Sequence, residues 1–175
     1  MLRIDRRTRK TGAMPRYLAP ILILLAATAV PQAALAADTI FVMRHLQKAD
    51  GADPPLSPEG AANAQAVANM LAKSGIEAIF ATPTKRAIET AQPLAAKLGI
   101  AVTPYNPGDP DALAKAVAAI HGAVLVVGHS NTVPDLVARF GGRQAVALTE
   151  QDYGSVFIVT QTDGKVSEIK VEPAR

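Results

Sequence analysis

Arg44, His45, Arg86 and His129 are the residues of this 175-residue sequence whose types and positions suit one chemistry together. Arginine carries a permanent charge and a forked set of donors that match phosphate oxygens. A neutral imidazole is a competent nucleophile toward phosphorus. The chain has no Cys, and no carboxylate neighbours these four in a ligand-like pattern, so a metal centre is not the natural reading. Two guanidiniums and two imidazoles read instead as a phosphoryl-transfer site working through a phosphohistidine. The third histidine, His121, precedes Gly122 at an expected helix end, where it favours the helix carbonyls, and is assigned no chemistry.

The elements that must position these groups follow from apolar patterning. Short β-rich runs predict strands over 39–44, 76–81 and 155–160, and an unbroken apolar run, AVLVVG, predicts a doubly buried strand over 123–128. A further strand over 166–172 pairs with 155–160 through the turn Thr162-Asp163-Gly164, and a short one falls around Ala101 to Thr103. Ser57 caps a first helix with Pro58 at its first position, running to Gly75. Thr84 caps a second that ends at Gly99, with Pro93 predicting a kink or restart. A third begins at Asp109 or Pro110 and runs through Ile120, and a fourth runs from 131–134 to Gly141-Gly142. Strands alternating with helices imply a mainly parallel sheet with helices on both faces. Ligands bind at the carboxyl edge of such a sheet. Arg44-His45, the stretch ending at Arg86, and Gly128-His129-Ser130-Asn131 each follow a strand at that edge.

In order along the chain, Arg44-His45, LSPEG at 56–60, ATPTKRAIETA at 81–91 and VVGHSNTVP at 127–134 resemble the histidine phosphatase superfamily, in its phosphoglycerate-mutase-like branch and especially its short, exported or phosphohistidine-phosphatase-like members. The resemblance spans the chain beyond residue 36. It implies an α/β fold, a three-layer α/β/α sandwich, and a cofactor-independent phosphatase, with a mutase as second choice. It also implies that His45 becomes phosphorylated, that Arg44 and Arg86 grip the phosphoryl oxygens, and that His129 completes the pocket. Leu46 and Gln47 depart from the family's usual small residue and acid. Gln47 can bind phosphate or substrate but cannot donate a proton as a carboxylic acid does. The proton donor is therefore sought among Asp109, Asp50 and Asp53. Asn131 is a further polar contact for phosphate, helped by backbone N–H groups around it, and otherwise a helix cap. Thr90, one helical turn after Arg86, packs against it or orients it.

Charge narrows the partners. The whole sequence has 18 Lys and Arg against 15 Asp and Glu, a net +3. Six of the basic residues precede the apolar run from Tyr17 to Val30, which is followed by Pro31 and the small-residue site Ala34-Leu35-Ala36. These are the parts of a secretory signal peptide over residues 1–36, cleaved after Ala36; an uncleaved anchor is the alternative. The run of 14 residues is shorter than the roughly 20 that span a bilayer. Without residues 1–36 the count becomes 12 basic and 14 acidic, a net −2, and the electrostatic case for nucleic acid disappears. The expectation is a periplasmic or secreted domain, residues 37–175, hydrolysing a small phosphorylated substrate, a phosphomonoester or a phosphohistidine. It needs no metal or cofactor and has no stable membrane insertion, and the sequence carries no signal for an oligomeric state. Two other readings stay open. One is a non-catalytic module binding phosphate or phospho-ligands. The other is a serine esterase built on Ser130, although Thr132 replaces the closing glycine of a nucleophile elbow and no histidine follows Ser130.

Overall fold

A computed structural model describes residues 38–144 and 146–171. The expected leader, residues 1–36, and its cleavage site lie outside them. Among the described residues the elements run β1 (Thr39–Arg44), α1 (Pro58–Leu71), β2 (Ile76–Ala81), α2 (Lys85–Leu98), β3 (Val102–Pro104), α3 (Pro110–Ala118), β4 (Ala123–Gly128), α4 (Val133–Arg139), β5 (Ser155–Thr160) and β6 (Lys165–Lys170). They form one six-stranded sheet in the order β3-β2-β4-β1-β5-β6. The pairs β2–β3, β2–β4 and β1–β4 are parallel, while β5 runs antiparallel to β1 and β6 antiparallel to β5. No helix among the described residues is long and apolar enough to cross a membrane.

Side-chain alternation along the strands divides the core into two layers. Phe41 and Met43 of β1, with Leu125 and Val127 of β4, pack against Val67 and Leu71 of α1 and Ala91 and Leu94 of α2. Ile40 and Val42, with Val124 and Val126, face Leu113 and Val117 of α3 and Leu136 and Val137 of α4. Every residue of β4 is buried, which is why its sequence is apolar without alternation. Burying each of the larger of these side chains stabilises the fold by about 1.5–3 kcal/mol. The result is the three-layer α/β/α arrangement with a mainly parallel sheet that the sequence implies.

Helix starts follow local chemistry. The Ser57 side chain accepts from Gly60 N with Pro58 in the first turn, and the Asp109 side chain accepts from Ala112 N at the start of α3. Thr84 occupies the cap position of α2 without a side-chain capping bond. The interruption expected at Pro93 does not divide α2. A proline inside a helix costs about 3 kcal/mol, and the burial of Ala91, Leu94 and Ala95 against the sheet offsets it. The strand expected around 101–103 falls one residue later, and the last strand ends at Lys170. Gly60 fits where no other residue would, since a Cβ there would stand 2.0 Å from the Gln47 carbonyl oxygen. That close approach seats the start of α1 against the chain leaving β1, immediately after His45.

Candidate active site

Backbone pairing gathers the predicted residues at one edge of the sheet. Arg44 is in register with Gly128, and His45 N donates to Gly128 O at 3.0 Å. Thr82 N donates to Val127 O at 3.2 Å on the other side of β4. The exits of β1, β2 and β4 therefore lie side by side. A Cβ at Gly128 would meet Thr132 Oγ1 at 2.8 Å, and that oxygen accepts from His129 N at 2.9 Å. Glycine at 128 thus keeps the turn that presents His129.

His45 is 3% exposed. Its Nδ1 lies 2.8 Å from the Leu46 carbonyl oxygen, which can only accept, so Nδ1 carries the ring proton. Nε2 is then unprotonated, and Arg86 Nε–H donates to it at 3.1 Å. Burial lowers the pKa of His45 from 6.5 to about 4; the Leu46 hydrogen bond opposes this, and the charges of Arg44, His129 and Arg86 add to it. A neutral imidazole with a lone pair at Nε2 is the state a phosphorus nucleophile needs. The ring of His129 stands edge-on to that of His45, with centroids 5.2 Å apart. His129 Nε2 is 2.9 Å from Thr82 Oγ1, and burial, then Arg86 and Arg44, lower its pKa against a raising effect of Glu150. Thr90 joins both sides of the site. Its Oγ1 accepts from Leu46 N at 3.0 Å and donates to Arg86 O at 2.8 Å, tying the residue whose carbonyl orients His45 to the turn that carries Arg86.

His45, Arg86, His129 and Asn131 line one pocket of about 290 Å³, together with Lys48, Ser130 and Glu150. Arg44 takes a different place from the one expected. It is 2% exposed, and its terminal nitrogens donate to Thr149 O at 2.9 Å, Asp152 O at 3.1 Å and Glu150 Oε2 at 2.8 Å. Its guanidinium also stacks 4.2 Å from the ring centre of Tyr153. Arg44 therefore folds the 149–153 segment over the end of β1, and Arg86 is the arginine at the pocket wall. Within Arg44's set, Glu150 is the partner on an exposed side chain, so the nitrogen it occupies is the one an incoming anion could take over.

Four other expectations change. The Gln47 side chain is held by α1, with Nε2 donating to Glu59 at 3.1 Å and Oε1 accepting from Asn63 at 3.1 Å, rather than lining the pocket. Asp109 caps α3 and lines a separate cavity with Tyr105 and Leu113. Asp53 accepts from Lys85 N at 3.1 Å and lies 3.6 Å from Arg86, while Asp50 is exposed; neither lines the pocket. The backbone donors expected around Asn131 are partly engaged, since Thr132 N and Val133 N both donate to His129 O. Asn131 reaches the pocket by its position before α4, and Thr132 rather than Asn131 holds the cap position.

Sequence reading missed Glu150, Thr82 and Tyr153. Glu150 accepts a hydrogen bond from Ser130 Oγ, so the hydroxyl that an esterase would use faces a carboxylate, not a histidine. That bond, then the Arg44 charge, lowers the Glu150 pKa. The signal that could have found Glu150 is topological. An antiparallel strand beside β1 must enter at the carboxyl edge, bringing the residues just before it to His45. Among the described residues no three of His, Asp and Glu gather as a metal-ligand set.

Comparison with known proteins matches residues 40–106 to the histidine phosphatase superfamily (branch 1). That stretch holds β1 to β3 with His45 and Arg86. Similar solved structures include the protein histidine phosphatase SixA complexed with tungstate, at 21% identity and a TM-score of 0.58, covering 75% of this chain and 94% of that one. A mycobacterial glucosyl-3-phosphoglycerate phosphatase matches at 16% identity and a TM-score of 0.57, over 78% of this chain and 99% of that one. A structure described as mycobacterial hydrolase 1 matches at 14% identity and a TM-score of 0.60, over 79% of this chain and all of that one. No curated protein matches by sequence.

Proposed function

With residues 40–106 matching the histidine phosphatase superfamily and the described domain sharing the phosphoglycerate-mutase-like fold, we propose that this chain is an exported phosphatase. It hydrolyses a phosphomonoester through a covalent phosphohistidine at His45. The observation that carries this reading is the His45 ring itself, whose Nδ1–H is fixed on Leu46 O and whose Nε2 lone pair is held only by Arg86.

In the first step the phosphoryl group enters the pocket and Arg86 moves its donors from Nε2 to the phosphoryl oxygens. The lone pair of Nε2 attacks phosphorus, the P–O bond to the leaving group breaks, and charge spreading over the equatorial oxygens is met by Arg86, Arg44 and the His129 ring. Water then attacks phosphorus, the P–N bond breaks, and phosphate leaves with His45 again neutral. The Nδ1–H bond to Leu46 holds the tautomer through both steps. The open, polar pocket suits a small phosphorylated substrate, and the basic, apolar and small-residue pattern of residues 1–36 supports export.

A panel of phosphomonoesters tests the reading. The wild-type chain is expected to release inorganic phosphate from at least one, and His45→Ala to lose that activity by at least about 10³-fold, the scale on which a nucleophile's removal is felt. Release of phosphate from no member, alongside tight vanadate binding, would identify a phosphate-binding module instead.

A further inference from the structure

We infer that Glu150 is the catalytic proton donor, protonating the leaving-group oxygen as His45 takes the phosphoryl group and then accepting a proton from the attacking water. The inference deepens the phosphatase reading and rests on it. Phosphate monoesters of ordinary alcohols leave as poor alkoxides, so an acid is required unless the leaving group is intrinsically good. The acids that sequence spacing offered do not line the pocket, and Gln47 is tied to α1. Glu150 is the carboxylate that lines the pocket with His45, Arg86 and His129.

Its attachments suit the task. Ser130 Oγ donates to Oε1 and Arg44 donates to Oε2, while the side chain itself is 70% exposed. A phosphoryl oxygen that recruits the same Arg44 nitrogen releases Oε2 into the pocket while Ser130 keeps Oε1 in place. The groups facing Glu150 are Arg44 and His45 from β1 and its exit, Ser130 and His129 from the end of β4, Arg86 from α2, Lys48, and Asp152 and Tyr153 on its own segment. In the free protein the Ser130 bond, then the Arg44 charge, lower its pKa and favour the ionised carboxylate. A bound phosphoryl group brings negative charge beside it and takes away its Arg44 bond, both of which favour the protonated carboxyl.

The proton balance closes over one turnover: Glu150 takes up a proton from solvent as the phosphorylated substrate binds and returns it to solvent when phosphate leaves. In the first half the bond from His45 Nε2 to phosphorus forms, the P–O bond breaks, and the Glu150 proton passes to the departing oxygen, giving an alcohol and a carboxylate. In the second half that carboxylate takes a proton from water as its oxygen bonds to phosphorus. The P–N bond breaks, and Glu150 is again protonated.

The test is kcat/KM for a leaving-group series, from 2,4-dinitrophenyl through 4-nitrophenyl and phenyl to an alkyl phosphate, on wild type, Glu150→Gln and Glu150→Asp. Glu150→Gln is expected to lose roughly 10²–10³-fold on the alkyl ester, within the usual range for general acid catalysis. On the dinitrophenyl ester it should lose under about 10-fold, because that phenolate leaves unaided. Glu150→Asp, which keeps an acid, should restore part of the alkyl activity, and the basic limb of the wild-type pH profile should vanish in Glu150→Gln. An equal loss across the series, or no loss, would overturn the assignment and leave Glu150 a structural partner of Arg44. A wild type that forms no phospho-enzyme even from the dinitrophenyl ester would overturn the phosphatase reading itself, an outcome separable from either of these.

Discussion

Two hydrogen bonds to one ring decide what His45 can do. The Leu46 carbonyl settles which nitrogen keeps the proton, and Arg86 finds the other as an acceptor. Burial then removes the competing imidazolium by lowering the pKa to about 4. In an NMR titration of the free protein the His45 ring should therefore change charge near pH 4, and a midpoint near 6.5 would show that the ring is not buried as described. The same shift has a sign for stability. Between about pH 4 and 6.5 the unfolded chain binds a proton at this position that the folded one does not, so the fold gains stability as pH rises through that window and loses it as pH falls. At neutral pH the ring is therefore in the form that the proposed attack on phosphorus uses, and no base is needed to deprotonate it.

At the scale of elements, the site is made by strand ends and held by the segments that leave them. His45, Arg86 and His129 were legible because each stands just after an apolar run, and parallel strands put such positions on one edge. Glu150 and the true place of Arg44 were not legible. Residues 146–153 carry no period of 2 or 3.6, and their position follows only from β5 running antiparallel to β1. Asp109 stayed undecided for a related reason: a carboxylate at a helix start reads as a cap or as an acid until its neighbours are known. It caps α3, accepting from Ala112 N at 3.0 Å. Asp109→Ala should accordingly lower stability by about 1 kcal/mol in urea denaturation while leaving kcat/KM unchanged. A loss of activity with unchanged stability would return Asp109 to the candidate proton donors.

Over the whole molecule, the net +3 of the full sequence divides into a net +5 over residues 1–36 and a net −2 over residues 37–175. The useful positive charge is local, carried by Arg44 and Arg86 beside two neutral imidazoles. The export reading predicts that protein recovered from outside the cytoplasm begins at Ala37 by N-terminal sequencing; recovery of the full chain from the membrane fraction would favour an uncleaved anchor. The fold of the domain was legible almost entirely, because doubly buried strands and capped helices announce themselves in apolar pattern and in Ser, Pro and Gly placement. The proposed phosphohistidine can be trapped on the protein. Rapid mixing with 2,4-dinitrophenyl phosphate and quenching in alkali, followed by 31P NMR and peptide mass spectrometry, should show a phosphoramidate on Nε2 of His45. The signal should be stable in alkali, lost in acid and absent from His45→Ala. Phosphate found on Ser130 or elsewhere, or a phospho-enzyme that persists in His45→Ala, would contradict the account.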